Sequence, residues 1–398
     1  MRDAILALNA GSSSIKFGLY DIVGGGLTPV ARGTIEIGRS PHLVAKPTDG
    51  TPCVDRPVPG EGVDDGIAAL LTLIEQDFGA RRLIACGHRI VHGGTAFSEP
   101  VLLTSSVIDA VEALTPLAPL HQLRSIAPVR AVADRRSDLL QVGCFDTAFH
   151  RTIEPPASRY ALPRAYGEKG IRRYGFHGFS FEYIAGQLEL EGKANRRIIV
   201  AHLGNGASLC AMRHGKSLDT TMGFSALDGL VMGTRCGAID PGVLLYLLQH
   251  EGMTPDQLQD LLYHQSGLLG VSSLSGDMRD LEQSDDPHAR EAIELFVFRI
   301  AREVAALTNT LGGLDSLIFT AGIGEHSAHV RLAVCQQLHW MGVAVDEDRN
   351  QRHGPIISSA GSRVEVSVVP TNEEIVIARH VLKMIGQTWQ ASQGSEQL

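Results

Sequence analysis

The sequence predicts an α/β protein of two related domains, each a sheet covered by helices. Three observations lead there. The chain has 398 residues, 44% of them apolar, enough to bury two separate cores. Helical and strand patterns alternate along its length. A strand–turn–strand unit at the start also has a counterpart near residue 200.

The first such unit runs Ile5–Asn9, then Ala10-Gly11-Ser12-Ser13-Ser14, then Ile15–Asp21. Gly11 lets the backbone turn tightly, and the hydroxyls and N–H groups of the tip can surround an anion. Lys16 adds a positive charge just beyond it. In the second unit, strand Arg197–Ala201 leads through His202-Leu203-Gly204-Asn205-Gly206-Ala207-Ser208 into strand Leu209–Arg213.

Between these units lie five prolines in 40–60, which predict a surface loop or hairpin. A helix over 63–78 follows, then a strand over 82–91 running into His92-Gly93-Gly94. A helix over 105–114 precedes a strand over 139–145, and Asp146 stands immediately after that strand. The pattern restarts past Pro155-Pro156, which suggests a domain boundary near 150. A helix over 180–191 ends at Gly192. In 292–311, Ile293, Phe296, Ile300, Val304, Leu307 and Leu311 recur at three- and four-residue steps, and Gly312-Gly313 stop the helix. A strand over 316–320 enters Ala321-Gly322-Ile323-Gly324-Glu325, and 364–369 is the last strand.

Composition excludes several classes of function. A formal net charge of −9 argues against a nucleic-acid binder. The six cysteines show neither a C-x-x-C pair nor zinc-ligand spacing. No run of 18 apolar residues could span a membrane. The N-terminus is already a strand rather than a leader, so a reducing cytoplasm is the expected compartment.

Three glycine-rich turns, Gly11–Ser14, Gly204–Ser208 and Gly322–Gly324, each follow a buried strand. None is a Walker A loop or a complete dinucleotide fingerprint. As a set they suit one nucleotide gripped by both domains. Arg89 and Arg235 stand in glycine-flanked segments and can clamp an anion with their planar forks; a surface ion pair is the competing role. His88 and His92 are four apart, but Gly93-Gly94 interrupt any zinc helix, so His88 reads as structural. His177 and His121 lie in polar, exposed-looking loops. Asp146 sits where open α/β sheets collect ligands, or else caps the next turn. Thr371 and Glu374 have capping-box spacing, which leaves Glu373 free to face a cation.

These segments together resemble the acetokinase family, from Ile5 to about Arg379. The motifs are Asn9–Lys16, Arg172-Arg173-Tyr174-Gly175-Phe176-His177-Gly178, His202–Gly206, Met232–Gly237, Ser275–Arg279 and Phe319–Glu325, in the family's order. The resemblance implies the two-domain fold shared by actin, heat-shock chaperones and sugar kinases (ribonuclease H-like), with an interdomain nucleotide cleft. It implies a discontinuous first domain, 1–150 plus about 371–398, and a second over 151–370. It also implies reversible phosphoryl transfer from ATP to acetate, with magnesium or manganese as cofactor, propionate as a second acid, and a homodimer.

Carried over, Asp146, His177 and Arg235 take catalytic roles. Arg89, Val91, Leu120, His121, Phe176 and Ala226 form the acid site. Ser12, Lys16, His202, Leu203, Gly204, Asn205, Gly206, Asp277, Met278, Arg279, Gly322, Ile323, Gly324, Glu325 and His326 contact ATP, and Asn9 and Glu373 hold the metal. The chain departs from the family's usual residues at Gln122, Phe179, Phe181, Ala226, Ala238 and His326. In-line transfer is the expected route, with a phosphorylated enzyme carboxylate as the alternative. An ATP-driven switch of the actin or chaperone type is the rival from another class.

Overall fold

The computed structural model describes residues 1–395 apart from 12, 13, 39 and 120, with side chains described through residue 387. The chain divides into two units, Met1–Ala148 with Asn372–Leu398, and Phe149–Thr371. Among the described residues no helix is long and apolar enough to cross a membrane.

The first unit is built on β1 (Arg2–Ala10), β2 (Ser14–Val23), β3 (Gly26–Glu36), β4 (His42–Pro47) and β5 (Val54–Pro57). Helix α1 (Val63–Asp77) precedes β6 (Arg81–Ile90) and the short β7 (Val101–Leu102). Helices α2 (Ser105–Glu112) and α3 (Gln122–Arg135) then lead to β8 (Leu140–Phe145). Strand order is β5-β4-β3-β2-β1-β6-β8-β7. The proline-rich stretch thus supplies an edge hairpin, where prolines lacking an N–H cost no ladder bond. Ile67, Leu70, Leu71 and Ile74 of α1 share one buried core with Leu8, Ile35 and Leu43 of the sheet.

The second unit has β9 (Ile198–Leu203), β10 (Ala207–Arg213), β11 (Lys216–Thr220), β12 (Ser316–Thr320) and β13 (Glu365–Val368), in the order β11-β10-β9-β12-β13. Helices α4 (Arg164–Glu168) and α5 (Gly178–Leu190) precede this sheet in the chain. Helices α6 (Pro241–Gln249), α7 (Pro255–His264), α8 (Gly267–Ser272), α9 (Met278–Glu282) and α10 (Pro287–Leu311) come between β11 and β12. Helices α11 (Ala321–His326), α12 (Ala328–Gln337) and α13 (Glu347–Gln351) come between β12 and β13.

The two sheets share one plan. In β3-β2-β1-β6-β8 and in β11-β10-β9-β12-β13, the first two pairings are antiparallel and the next two parallel. The echo noted at 5–21 and 198–213 is therefore the corresponding hairpin of each sheet.

The last helix, α14 (Glu373–Ser395), belongs to the first unit. It packs so closely on β6 that a Cβ on Gly87 would lie 2.5 Å from Val381 and 2.6 Å from Ile377. Only glycine leaves room for that approach.

His88, on the same strand, is 1% exposed, with the Gln141 side chain beside it partly offsetting the burial of its ring. Burial holds its pKa down at about 4, and burial holds His92 at about 4 as well. The sign follows directly: below pH ~6.5 the unfolded chain takes up protons that these buried rings refuse. Stability should therefore fall as pH drops from ~6.5 toward 4, by up to roughly 3 kcal/mol per ring. Urea unfolding at pH 7.5 and pH 5 measures this, and His88→Gln should flatten the decline. An unchanged pH dependence in that variant would remove His88 as a cause.

Candidate active site

In the first unit, β1, β6 and β8 are adjacent and parallel, and their C-terminal ends gather the candidate residues. Asn9 and Arg89 are the next-to-last residues of β1 and β6, and Asp146 follows β8. Parallel register brings side chains from neighbouring strands to the same edge, the usual ligand edge of such sheets.

Arg89 is therefore not a flexible loop arginine. Its Nη2 donates to Asp146 Oδ2 at 2.9 Å, with the two side chains 16% and 1% exposed. Burial opposes the Arg89 charge, but Asp146, Glu373 and Glu374 outweigh it and keep the guanidinium protonated. Asn9 Nδ2 donates to Glu373 Oε2 at 2.8 Å and to Glu374 Oε1 at 3.2 Å. Lys16 lies opposite Asn9 in the β1–β2 pairing.

The expected Thr371–Glu374 capping box is absent. Asn372 Oδ1 instead accepts the Ile375 N–H at 3.1 Å, and the buried Thr371 hydroxyl has no partner. An Asx cap satisfies that backbone donor without Thr371, so Glu374 is released to join Glu373. Burial first, and then the adjacent Glu373 charge, push the Glu374 carboxyl above its ordinary pKa. Two carboxylates pressed together in this way suit a cation. Sequence reasoning missed Glu374 because capping-box spacing offered a sufficient local explanation.

The acid-site residues Val91 and His121 also lie in this unit, whereas Leu120 and the nucleotide candidate Ser12 lie outside the described residues. Gln122, a departure from the family pattern, is fully buried. Its amide donates to the His92 and Val111 carbonyls and accepts the His92 N–H, bracing the segment after Val91.

The second unit holds His177, Arg235, Phe176 and Ala226. His177 adopts φ 58° at the start of α5, a left-handed conformation that a non-glycine residue keeps only when its surroundings impose it. The Ala226 carbonyl accepts from Arg235 Nη1 at 2.8 Å. A Cβ on Gly206 would lie 2.7 Å from Arg235 Nη2 and 3.1 Å from His177 Nε2. The guanidinium and the imidazole thus converge on the Gly204–Gly206 turn, which must be bare to admit them.

Beside that turn lies a cavity of about 430 Å³ lined by Gly204, Asn205, Asp277, Met278, Arg279, Gly322, Ile323 and His326, with Ser327 and Glu282 as residues the sequence did not indicate. Leu203 is fully buried in the core. Glu325 points away from the cavity. Its Oε1 accepts the Ala321 N–H at 2.9 Å and the Thr371 N–H at 3.3 Å, holding Ala321 at φ 65°. The Gly324 and Glu325 carbonyls accept from the fully buried Arg331. Among the sequence-assigned nucleotide contacts, Leu203 and Glu325 therefore have structural work to do.

A propionate kinase from Francisella tularensis subsp. tularensis SCHU S4 matches with a TM-score of 0.88 and 36% identity, over 95% of this chain and 98% of that one. Porphyromonas gingivalis acetate kinase matches at 0.84 with 36% identity, over 96% and 100%. The sequence profile of the acetokinase family matches residues 4–379, and the chain belongs to that family. An acetate kinase of Rhodopseudomonas palustris (strain TIE-1) is 50% identical over 396 residues, covering 96% of this chain and 99% of the relative.

Proposed function

We propose that this chain is an acetate kinase, transferring the ATP γ-phosphoryl group to acetate and running the reverse reaction from acetyl phosphate and ADP. The observation that carries the reading is the convergence of Arg235 and His177 on the bare Gly206 turn beside the cavity. Acetate is already a nucleophile, so the reaction needs no strong base. Its difficulty is bringing two anions together and stabilising charge on the transferred group. Arg235 and His177 supply donors aimed at that charge, and Arg89, oriented by Asp146, holds the carboxylate. In-line transfer is the preferred route, with a phosphorylated enzyme carboxylate as the alternative.

Magnesium suits the first unit's residues. Among the described residues no three His, Cys, Asp or Glu side chains cluster as a metal cage. Asn9 with the paired Glu373 and Glu374 instead offers the sparse oxygen set that magnesium completes with water and phosphate oxygens. Bound there, the ion would neutralise phosphate charge; manganese, with the same ligand chemistry, is the alternative.

Two further features fit this reading. Helix α6 buries none of its residues, and Val243, Leu245 and Tyr246 are 41–54% exposed; an apolar face of this kind supports a homodimer. Light scattering of wild type and Leu245→Glu tests it. The six cysteines, none in a disulfide, suit the cytoplasm.

Trapping acyl phosphate with hydroxylamine, with ATP and either acetate, propionate or butyrate supplied, tests the whole reading. Hydroxamate should form best with acetate, and none above background with any acid would sink it. One methylene changes binding by only ~1–3 kcal/mol, so propionate should react measurably. Arg89→Ala should raise the apparent KM for acetate at least tenfold, since a lost charge-assisted bond is worth ~1.5–3 kcal/mol. An unchanged KM would remove Arg89 from the acid site.

A further inference from the structure

Two serines stand behind the histidines at the Gly204–Gly206 turn. His177 Nδ1 and Ser208 Oγ are hydrogen bonded at 2.8 Å. His202 Nδ1 and Ser180 Oγ are hydrogen bonded at 2.8 Å as well. The two imidazoles stack on one another, with centroids 4.1 Å apart and planes 17° from parallel.

The pattern is crossed, and secondary structure produces it. His177 and Ser180 are three residues apart at the start of α5, and so share one helix face. His202 and Ser208 are register partners in the antiparallel β9–β10 pair, and so share one sheet face. Each histidine is held by the serine of the other pair. Both serines are fully buried, and Phe181 presents an edge-on ring to His202.

The consequence lies at the opposite ring atoms. A Cβ on Gly206 would be 3.1 Å from His177 Nε2, and one on Gly204 would be 3.9 Å from His202 Nε2. With both Nδ1 atoms tied back to serines, both Nε2 atoms face the glycine turn. Stacked at 4.1 Å, each ring also limits how far the other can turn about its serine bond.

We propose that Ser208 and Ser180 are positioning residues that lock this stacked pair, so that His177, braced against the His202 ring, presents Nε2 to the transferring phosphoryl group. The inference rests on the kinase reading of the same site. Ser208 acts through His177 and Ser180 through His202, and neither needs to touch substrate.

The test compares wild type with Ser208→Ala and Ser208→Cys, reading kcat, both KM values, the pH profile of kcat, and histidine tautomers by ¹⁵N NMR. Ser208→Ala should lower kcat about tenfold or more, the range of one lost hydrogen bond. Both KM values should stay within about twofold, and the His177 tautomer signal should change. The cysteine, similar in size but a weaker partner, should fall between. A Ser208→Ala enzyme with wild-type kcat and an unmoved tautomer overturns the proposal. So does a loss confined to KM. If the alanine variant does not fold, the cysteine variant and the wild-type tautomer decide: Nδ1 of His177 exchanging freely between states overturns the lock. Wild type forming no hydroxamate with any acid would instead defeat the kinase reading itself.

Discussion

Arg235→Ala is expected to lower turnover by roughly 10³-fold or more, the range seen when an arginine acting on a transferring phosphoryl group is removed. The geometry explains why no neighbour should compensate. Arg235 is anchored through one nitrogen to the Ala226 carbonyl, while another lies beside Gly206, facing the same turn as His177. Truncation removes one of the two side chains that converge on the Gly206 turn. Lysine has no planar fork to keep the Ala226 bond while pointing a second nitrogen forward, so Arg235→Lys should recover only a small part of the loss. Steady-state kinetics under saturating ATP and acetate decide the matter. Turnover within tenfold of wild type would show that the assigned role is wrong.

Replacing Asp146 should be nearly as damaging, and for two reasons at once. Its carboxylate is 1% exposed and paired at 2.9 Å with Arg89. Asp146→Ala leaves that guanidinium buried without its paired carboxylate, held by the Ala10 carbonyl and the charges of Glu373 and Glu374. Breaking one side of a buried pair costs about 3–5 kcal/mol, so the thermal midpoint should fall clearly. Arg89 should also swing toward the two glutamates, disturbing the acid and cation sites proposed for these residues. Turnover should drop by about 100-fold or more, as expected when a positioned charge is lost at the reacting centre. Asp146→Asn, which keeps an acceptor, should recover much of the stability and little of the activity. If both variants melted and turned over as wild type does, the pair would be incidental.

Much of this was legible in the sequence. Amphipathic spacing located α1, α5 and α10 to within a few residues, because a helix against a sheet must bury one stripe. The strands read at 139–145, 197–201 and 316–320 stood out as short apolar runs bounded by polar or glycine-rich segments. What periodicity could not convey was order across a sheet. Shared strand order emerges only when β1 finds β6 and β9 finds β12, pairings separated by 70 residues or more. Prolines in 40–60 left a surface loop and a hairpin both open, and pairing on β3 makes the segment the β4–β5 hairpin with β5 at the sheet edge.

The site divides along the same line. Residue chemistry singled out Arg89, Asp146, His177, Arg235 and Glu373, whose types suit phosphate, carboxylate and cation, and the family resemblance added Asn9. Glu374, Ser180 and Ser208 did not emerge, because a serine or a second glutamate carries no signal until its partner is known. The sequence by itself determined the class of ligand and the residue types that would meet it, since charge, hydroxyls and glycine flexibility are properties of the residues. Only the tertiary structure decided which side chains act together. Whether Asn372 or Thr371 caps α14, and whether Ser208 faces His177, depend on register and packing, and these are settled by contacts between distant segments of the chain.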